Sequence, residues 1–390
     1  MKAFLKRVVV ILLILVITAV GYIFSISPQS KTKLTTDYFD TNPFTTELAT
    51  NKTRPIFIED IKGNQKQILW GDTHVHTTYS MDAFYMSLPM MHGSRGAFPA
   101  AFACDYARFI SQLDFYVLTD HAESYIPRTW KDQVDSIRQC NAISGNEDNP
   151  DLVAFIGWEW TQAGPTPETH YGHHNVIFKD YKEGKIPDRP IAAGGALANI
   201  LRTQLADVNR NLFLLDPLNR DYYWSFADYL DAILSTPNCE EGIPSNYLPK
   251  DCYESATTPG ELYAKLDDWG FDVEVIPHGT TWGFYTPQAA SWKEYTNTPD
   301  NIRPDYNSLV EIYSGHGNSE VFFDFLEVEI DEEGNMSCPE PTLNYLPTCH
   351  QAGVIIKKLC LDEGKTEETC ENLAIKAREE LNTFPGGSGM

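Results

Sequence analysis

Short apolar runs that each stop at a histidine or a glutamate constrain this chain more than any other feature. Gln67-Ile68-Leu69-Trp70 leads through Gly71-Asp72-Thr73 into His74-Val75-His76, and Phe115-Tyr116-Val117-Leu118 runs into Thr119-Asp120-His121. Leu152-Val153-Ala154-Phe155-Ile156 runs into Gly157-Trp158-Glu159, and Val273-Glu274-Val275-Ile276 delivers His278. Runs this short, bounded by polar residues, read as buried strands. Helical periodicity lies between them: Phe102, Tyr106, Phe109, Ile110 and Leu113 precede the second run, and Val134, Ile137 and Ile143 precede the third. Before the His278 run, Thr258-x-x-Glu261 is a capping box with Pro259 at the first helical position. Leu262, Leu266 and Trp269 line one face, and Gly270 ends the helix. Asn175-Val176-Ile177-Phe178 differs in carrying His173 and His174 at its start, so its direction is expected to differ. A sixth run, Leu309–Tyr313, ends before His316. Alternating helix and strand with polar residues at successive strand ends predicts an α/β fold, a parallel barrel with its site at the C-terminal strand ends.

The strand-end residues are metal donors by type. His74 and His76 alternate on an extended segment, so both imidazoles point to one side and can grip one divalent ion. Asp82, His121, Glu159, His173 or His174, and His278 extend the set, and so many imidazole and carboxylate donors predict two or three ions of zinc, manganese or iron. Glu159, Asp120 and His316 are the catalytic candidates, and Asp72 and Asp120 are placed either to orient an imidazole or to cap a strand end. His170 and Glu123 are weaker candidates, and Trp158, Trp160, Trp282 and Tyr285 either wall a pocket or pack. No Gly-x-Ser-x-Gly elbow and no Gly-rich loop ending in Lys-Ser or Lys-Thr occurs, so serine hydrolases and nucleotide-loop enzymes have no support.

The charge balance, 54 acidic against 30 basic side chains for a net −24, comes without a block of Lys and Arg and argues against nucleic-acid binding. An anionic substrate would then need a metal cluster to invert the local sign. Lys2, Lys6 and Arg7 precede an apolar run from Val8 to Phe24, read as an uncleaved membrane anchor in preference to a cleaved signal peptide, with the rest of the chain outside the cytoplasm. Residues 1–27 form this segment, 28–54 a polar tether and 55–390 the globular domain. An insertion at 179–257 holds two expected helices, Ala196–Val208 and Ser225–Leu234. Eight cysteines include the close pairs Cys239 and Cys252, Cys338 and Cys349, and Cys360 and Cys370, leaving Cys104 and Cys140; four disulfides and an oxidising compartment are expected.

The run Leu69 to Ala83, with Thr119-Asp120-His121, Gly157-Trp158-Glu159 and Ile276-Pro277-His278, resembles the PHP (polymerase and histidinol phosphatase) superfamily of metal-dependent phosphoesterases. More narrowly it is similar to the branch called domain of unknown function 3604. The resemblance implies a distorted (β/α)7-type barrel and hydrolysis of a phosphoester by water activated between metals. It implies that His74, His76 and Glu159 hold a first ion, Glu159 bridging to a second held by His173 or His174 and by His278, while Asp82 and His121 hold a third. The superfamily also carries an Asp-x-His pair on its last strand, and none follows His278 in this sequence, so a C-terminally shortened chain is expected. Two other readings stand beside this one: an amidohydrolase-type barrel, for which Lys179 is the candidate strand-end lysine, and an anchored domain that binds metal or ligand without turnover.

Overall fold

The computed structural model describes residues 2–26, 56–91, 98–146, 149–164, 169–195, 198–199, 202–203, 210–279, 292–314, 317–318, 329–331, 335–343 and 346–382. The tether, His316, Trp282, Tyr285 and most of the expected helix Ala196–Val208 lie outside them. The chain divides into two compact units. The first comprises Met1–Asp120, Ser124–Ala154 and Leu201–Pro237, the second His121–Glu123, Phe155–Ile200 and Asn238–Met390.

In the first unit the apolar N-terminal run forms helix α1 (Lys2–Ile26), whose Val9–Ile17 side chains are exposed. Among the described residues no helix is long and apolar enough to cross a membrane. Strands β1 (Ile56–Glu59) and β2 (Gln65–Ile68) form an antiparallel hairpin. Leu69 and Trp70 then lie exposed, and the strand that follows them is β3 (Gly71–Val75). The apolar run read as a buried strand is thus a hairpin arm and a connector. Gly71 is required where it stands, because a Cβ there would come within 2.3 Å of the Phe115 ring. β3 pairs in parallel with β4 (Phe115–Leu118), with a register shift between Asp72 and Val75 that re-aims the backbone just before His76.

Helix α2 (Met81–Met86) follows the histidine motif, and α3 (Ala100–Asp105) runs into a π-helical turn at Tyr106–Ile110. That wider turn shifts the expected apolar face: Ala101, Cys104, Ala107 and Arg108 are buried, whereas Tyr106 and Ile110 are exposed. Arg108 is fully buried against Asp151 at 2.8 Å. Helix α4 (Pro127–Ile143) buries Trp130, Val134, Ile137 and Cys140, close to the expected face. Helix α5 (Arg220–Ser235) contains the expected Ser225–Leu234 helix and inserts Tyr223, Phe226, Tyr229, Leu230 and Ile233 into the core of this unit.

The second unit is built on β5 (Val153–Gln162), whose first two residues belong to the first unit, β6 (Gly172–Phe178) and β9 (Val273–His278). β5 pairs antiparallel with β6, and β6 antiparallel with β9. A small parallel pair, β7 (Ile191–Ala193) with β8 (Glu254–Ala256), lies in the insertion. Within the second unit the order is therefore β9-β6-β5, and within the first β4 lies beside β3. A mixed α/β fold is therefore present, and a wholly parallel one is not: the strand that begins with histidines, β6, is reversed. Helix α6 (Pro259–Trp269) has the expected punctuation. Thr258 Oγ1 accepts the Glu261 N–H at 3.2 Å, Gly270 closes the helix at φ 66°, and the Glu261 carboxylate reaches back one residue further than a capping box requires, to Thr257 N at 2.7 Å.

Leu309–Tyr313 is not a buried strand. Leu309, Val310 and Ile312 are exposed, only Tyr313–Ser314 pairs as strand, and the segment touches the edge of β9 at Glu311 N to Pro277 O, 3.4 Å. Beyond the short helix α7 (Trp292–Asn297) lie α8 (Thr348–Asp362) and α9 (Glu367–Asn382).

All four expected cysteine pairs stand at disulfide distance: Cys104–Cys140, Cys239–Cys252, Cys338–Cys349 and Cys360–Cys370. They accord with an oxidising, extracytoplasmic compartment. The first closes a separation of 36 residues, the others 10 to 13. A Cys104→Ala/Cys140→Ala chain should therefore lose the most, about 2–4 kcal/mol, read as a lower urea midpoint with a steeper slope from the more expanded unfolded chain.

Candidate metal centre

Two groups of donors form, one in each unit. In the first unit His74 and His76 leave β3 with their Nε2 atoms 2.9 Å apart. His76 Nδ1 lies 2.8 Å from Ser80 Oγ, and the Ser80 hydroxyl donates to Asp82 Oδ1 at 2.6 Å. With the hydroxyl proton given to a carboxylate, Ser80 can only accept from His76, which fixes the proton on Nδ1 and the lone pair on Nε2. Asp82 thus acts on His76 mainly through Ser80, its own oxygen being 3.9 Å from Nδ1.

Asp120 is fully buried below this loop. Its carboxylate accepts from Thr77 N and from Thr77 Oγ1 at 2.7 Å, with Tyr125 Oη at 3.4 Å. Burial pushes Asp120 up to about 6, against the pull of His76 and the Thr77 bonds. It clamps the residue after His76. Asp72 plays a local part, accepting the His74 N–H at 2.9 Å.

In the second unit cross-strand register does the assembly. Glu159 and Thr161 are two apart on β5 and share a face; Thr161 lies opposite His173 on β6, and His173 opposite His278 on β9. Glu159 Oε1 contacts His173 Nδ1 and lies 3.2 Å from His278 Nε2, and Oε2 lies 3.7 Å from His121 Nδ1. Thr161 Oγ1 sits among them, 2.9 Å from His121 Nδ1, 3.1 Å from His173 Nδ1 and 3.1 Å from Glu159 Oε1. Burial works to raise Glu159, but His121, His173 and His278 overcome it and hold the carboxyl well below the usual range. Burial pushes His173 down to about 3 despite the same carboxylate.

The alternative between His173 and His174 is resolved by the pleat. Adjacent residues on β6 face opposite ways, so His174 packs edge-on to Trp160 and lies 2.9 Å from Tyr295 Oη, away from Glu159. His174 is therefore corrected from candidate ligand to core residue. Burial pushes it down to about 3. A group lowered on folding contributes stability that is complete above its unfolded pKa, about 6.5, and drains as pH falls toward the folded value. The metal-free wild type should accordingly lose stability more steeply between pH 6.5 and 4 than a His174→Gln variant, as read from urea midpoints across that range.

His170 is buried with Nδ1 3.1 Å from Gly164 O, a loop bond. Trp158 and Trp160 are core residues, Trp158 packing on Phe178 and Trp160 donating to Ala256 O at 3.2 Å. Lys179 is largely exposed and pairs with Asp272, so the lysine that an amidohydrolase-type site would need stands outside the cluster. Ser80 and Thr161 were missed. Their signal was present, since each hydroxyl occupies a position within a few residues of two donors, but Ser and Thr are too common for the spacing to stand out.

The donors fit a divalent transition metal: the grouped His and Glu side chains could hold one, and nitrogen with carboxylate oxygen is the donor set of zinc, manganese and iron sites. Residues 63–126 match the model of a family described as Protein of unknown function (DUF3604). The matched segment carries His74, His76, Asp82, Asp120 and His121, and it supports kinship with that family. No curated protein and no solved structure matches the chain significantly.

Proposed function

We propose that the protein is a metal-dependent hydrolase of the phosphoesterase class, with His74, His76 and Asp82 as one group of ligands and His121, Glu159, His173 and His278 as another. The observation that carries this reading is the burial of Glu159 among three imidazoles and a hydroxyl, an arrangement that a carboxylate adopts where positive charge is to be held. The resemblance to the PHP superfamily supplies the reaction class. A bound divalent ion supplies a water of lowered pKa and positive charge facing the oxyanion that develops on phosphorus. The chain's own residues hold and orient: Ser80 keeps His76 in one tautomer, Asp120 fixes the loop through Thr77, and Thr161 spaces His121 from His173. With a net charge of −24, an anionic substrate is drawn by the ions and not by the surface.

Elemental analysis of the purified full chain tests the reading. Two or more transition-metal ions per chain, reduced in the His74→Ala/His76→Ala variant, together with metal-dependent release of nitrophenol from p-nitrophenyl phosphate and none from an anilide, are expected. A folded chain that takes up no metal on reconstitution would refute it.

A further inference from the structure

We propose that Glu123 is a further metal ligand, presenting a carboxylate oxygen beside His121 and Glu159. This rests on the metal-centre reading and extends it to a residue outside the strand-end pattern. Glu123 lies in a 3-10 turn (Ala122–Ser124) directly after His121, and its side chain is fully buried. One oxygen is accounted for: Oε1 accepts Thr161 N–H at 3.2 Å and Ala193 N–H at 2.6 Å, tying the turn to β5 and β7. The other is not. Oε2 is buried and has no hydrogen-bond partner.

A buried carboxylate oxygen without a donor costs more than a typical hydrogen bond returns, and native proteins keep such an atom where an ion or a reaction uses it. Its surroundings say which. Oε2 lies 3.7 Å from His121 Nδ1, and Glu159 Oε2 lies at the same 3.7 Å from that nitrogen. Two carboxylates, both almost fully buried, therefore flank one imidazole nitrogen. Metal bonds of about 2.0–2.2 Å set neighbouring donors roughly 3–3.5 Å apart, so these separations need only a small contraction to become edges of one coordination polyhedron. Fixed by two backbone N–H groups through Oε1, Glu123 reaches the site with little side-chain freedom left to lose.

Glu123→Gln in the full-length chain is the test, with cobalt(II) as the probe. The amide carbonyl can still accept from Thr161 and Ala193, while the NH2 in place of Oε2 cannot ligate; circular dichroism and the melting temperature check that the variant is folded. Cobalt affinity is expected to fall at least tenfold and the visible absorption of the bound ion to change as an oxygen donor is lost. Unchanged affinity in a folded variant overturns the proposal. Weaker affinity with an unchanged spectrum also overturns it, because Glu123 then only orients His121. Should the variant fail to fold, carboxyl 13C signals of glutamate-labelled wild type decide: zinc should shift two buried glutamates, and a shift of Glu159 alone overturns the assignment. A wild type that binds cobalt yet hydrolyses nothing leaves this inference standing and removes the hydrolase reading. A wild type that binds no cobalt or zinc removes both.

Discussion

A Glu159→Gln chain should lose its metal while keeping its fold. The side chain is buried, and its two oxygens lie near His121, His173, His278 and the Thr161 hydroxyl, so no other carboxylate seen in this unit touches as many donors. Glutamine keeps a carbonyl oxygen for Thr161 and His173 but removes the charge that draws the imidazoles together. Loss of an outer partner typically weakens metal binding 10–100-fold. Loss of this carboxylate should exceed that range, to more than about a hundredfold, in competition titrations against a chromophoric chelator. Metal content equal to that of the wild type would show that Glu159 is a structural acid balanced by its histidines. Thr161→Val offers a graded comparison: it removes one hydroxyl that touches three of the group, and should fall within the 10–100-fold range, with Thr161→Ser restoring most of the loss.

The second large effect concerns stability. Arg189→Met should destabilise the protein by about 3–5 kcal/mol, the usual result of leaving one member of a buried ion pair alone. Arg189 Nη2 lies 2.7 Å from Glu254 Oε2, with both side chains almost fully buried. The same guanidinium donates to Leu248 O at 3.3 Å, Pro249 O at 3.1 Å and Ser245 O at 2.6 Å, and lies over the Trp269 ring. Ser245 Oγ donates to the other oxygen of Glu254, and Lys265 stands 3.4 Å from it. The pair organises the backbone of the loop closed by Cys239 and Cys252. Arg189→Lys should recover little, since one ammonium cannot reach the carboxylate and three carbonyls together. Denaturation midpoints of the two single variants and of Glu254→Gln, with the double variant to close the cycle, measure the coupling; a loss below about 1 kcal/mol for Arg189→Met would mean that Lys265 alone compensates Glu254.

What the sequence made legible was whatever depends on neighbours in the chain. The period of two placed His74 beside His76, and Thr258 with Gly270 bounded α6 correctly, whereas the strand expected to stop before Glu159 runs on through it to Gln162. Cysteine spacing gave the disulfides. The failures have a different physical origin. The π-helical turn at Tyr106–Ile110 is held by Arg108 reaching Asp151, a contact spanning 43 residues that no window of helical periodicity contains. Leu69 and Trp70 are apolar yet exposed, because the hairpin β1–β2 takes the preceding residues and β3 supplies the sheet strand. His173 could not be separated from His174 without the register of β6 against β5. Thr161 enters the site through a hydroxyl that only the folded chain brings beside His121 and His173.

The order of the cysteine pairs bears on how the protein is made. Eight cysteines can be joined in about 105 ways, yet here each is bonded to the next cysteine along the chain: 104 to 140, 239 to 252, 338 to 349, 360 to 370. A thread oxidised as it emerges, amino end first, meets every correct partner before any wrong one is available. Biosynthesis of this protein can therefore proceed with an oxidant alone, without an isomerase to reshuffle crossed bonds.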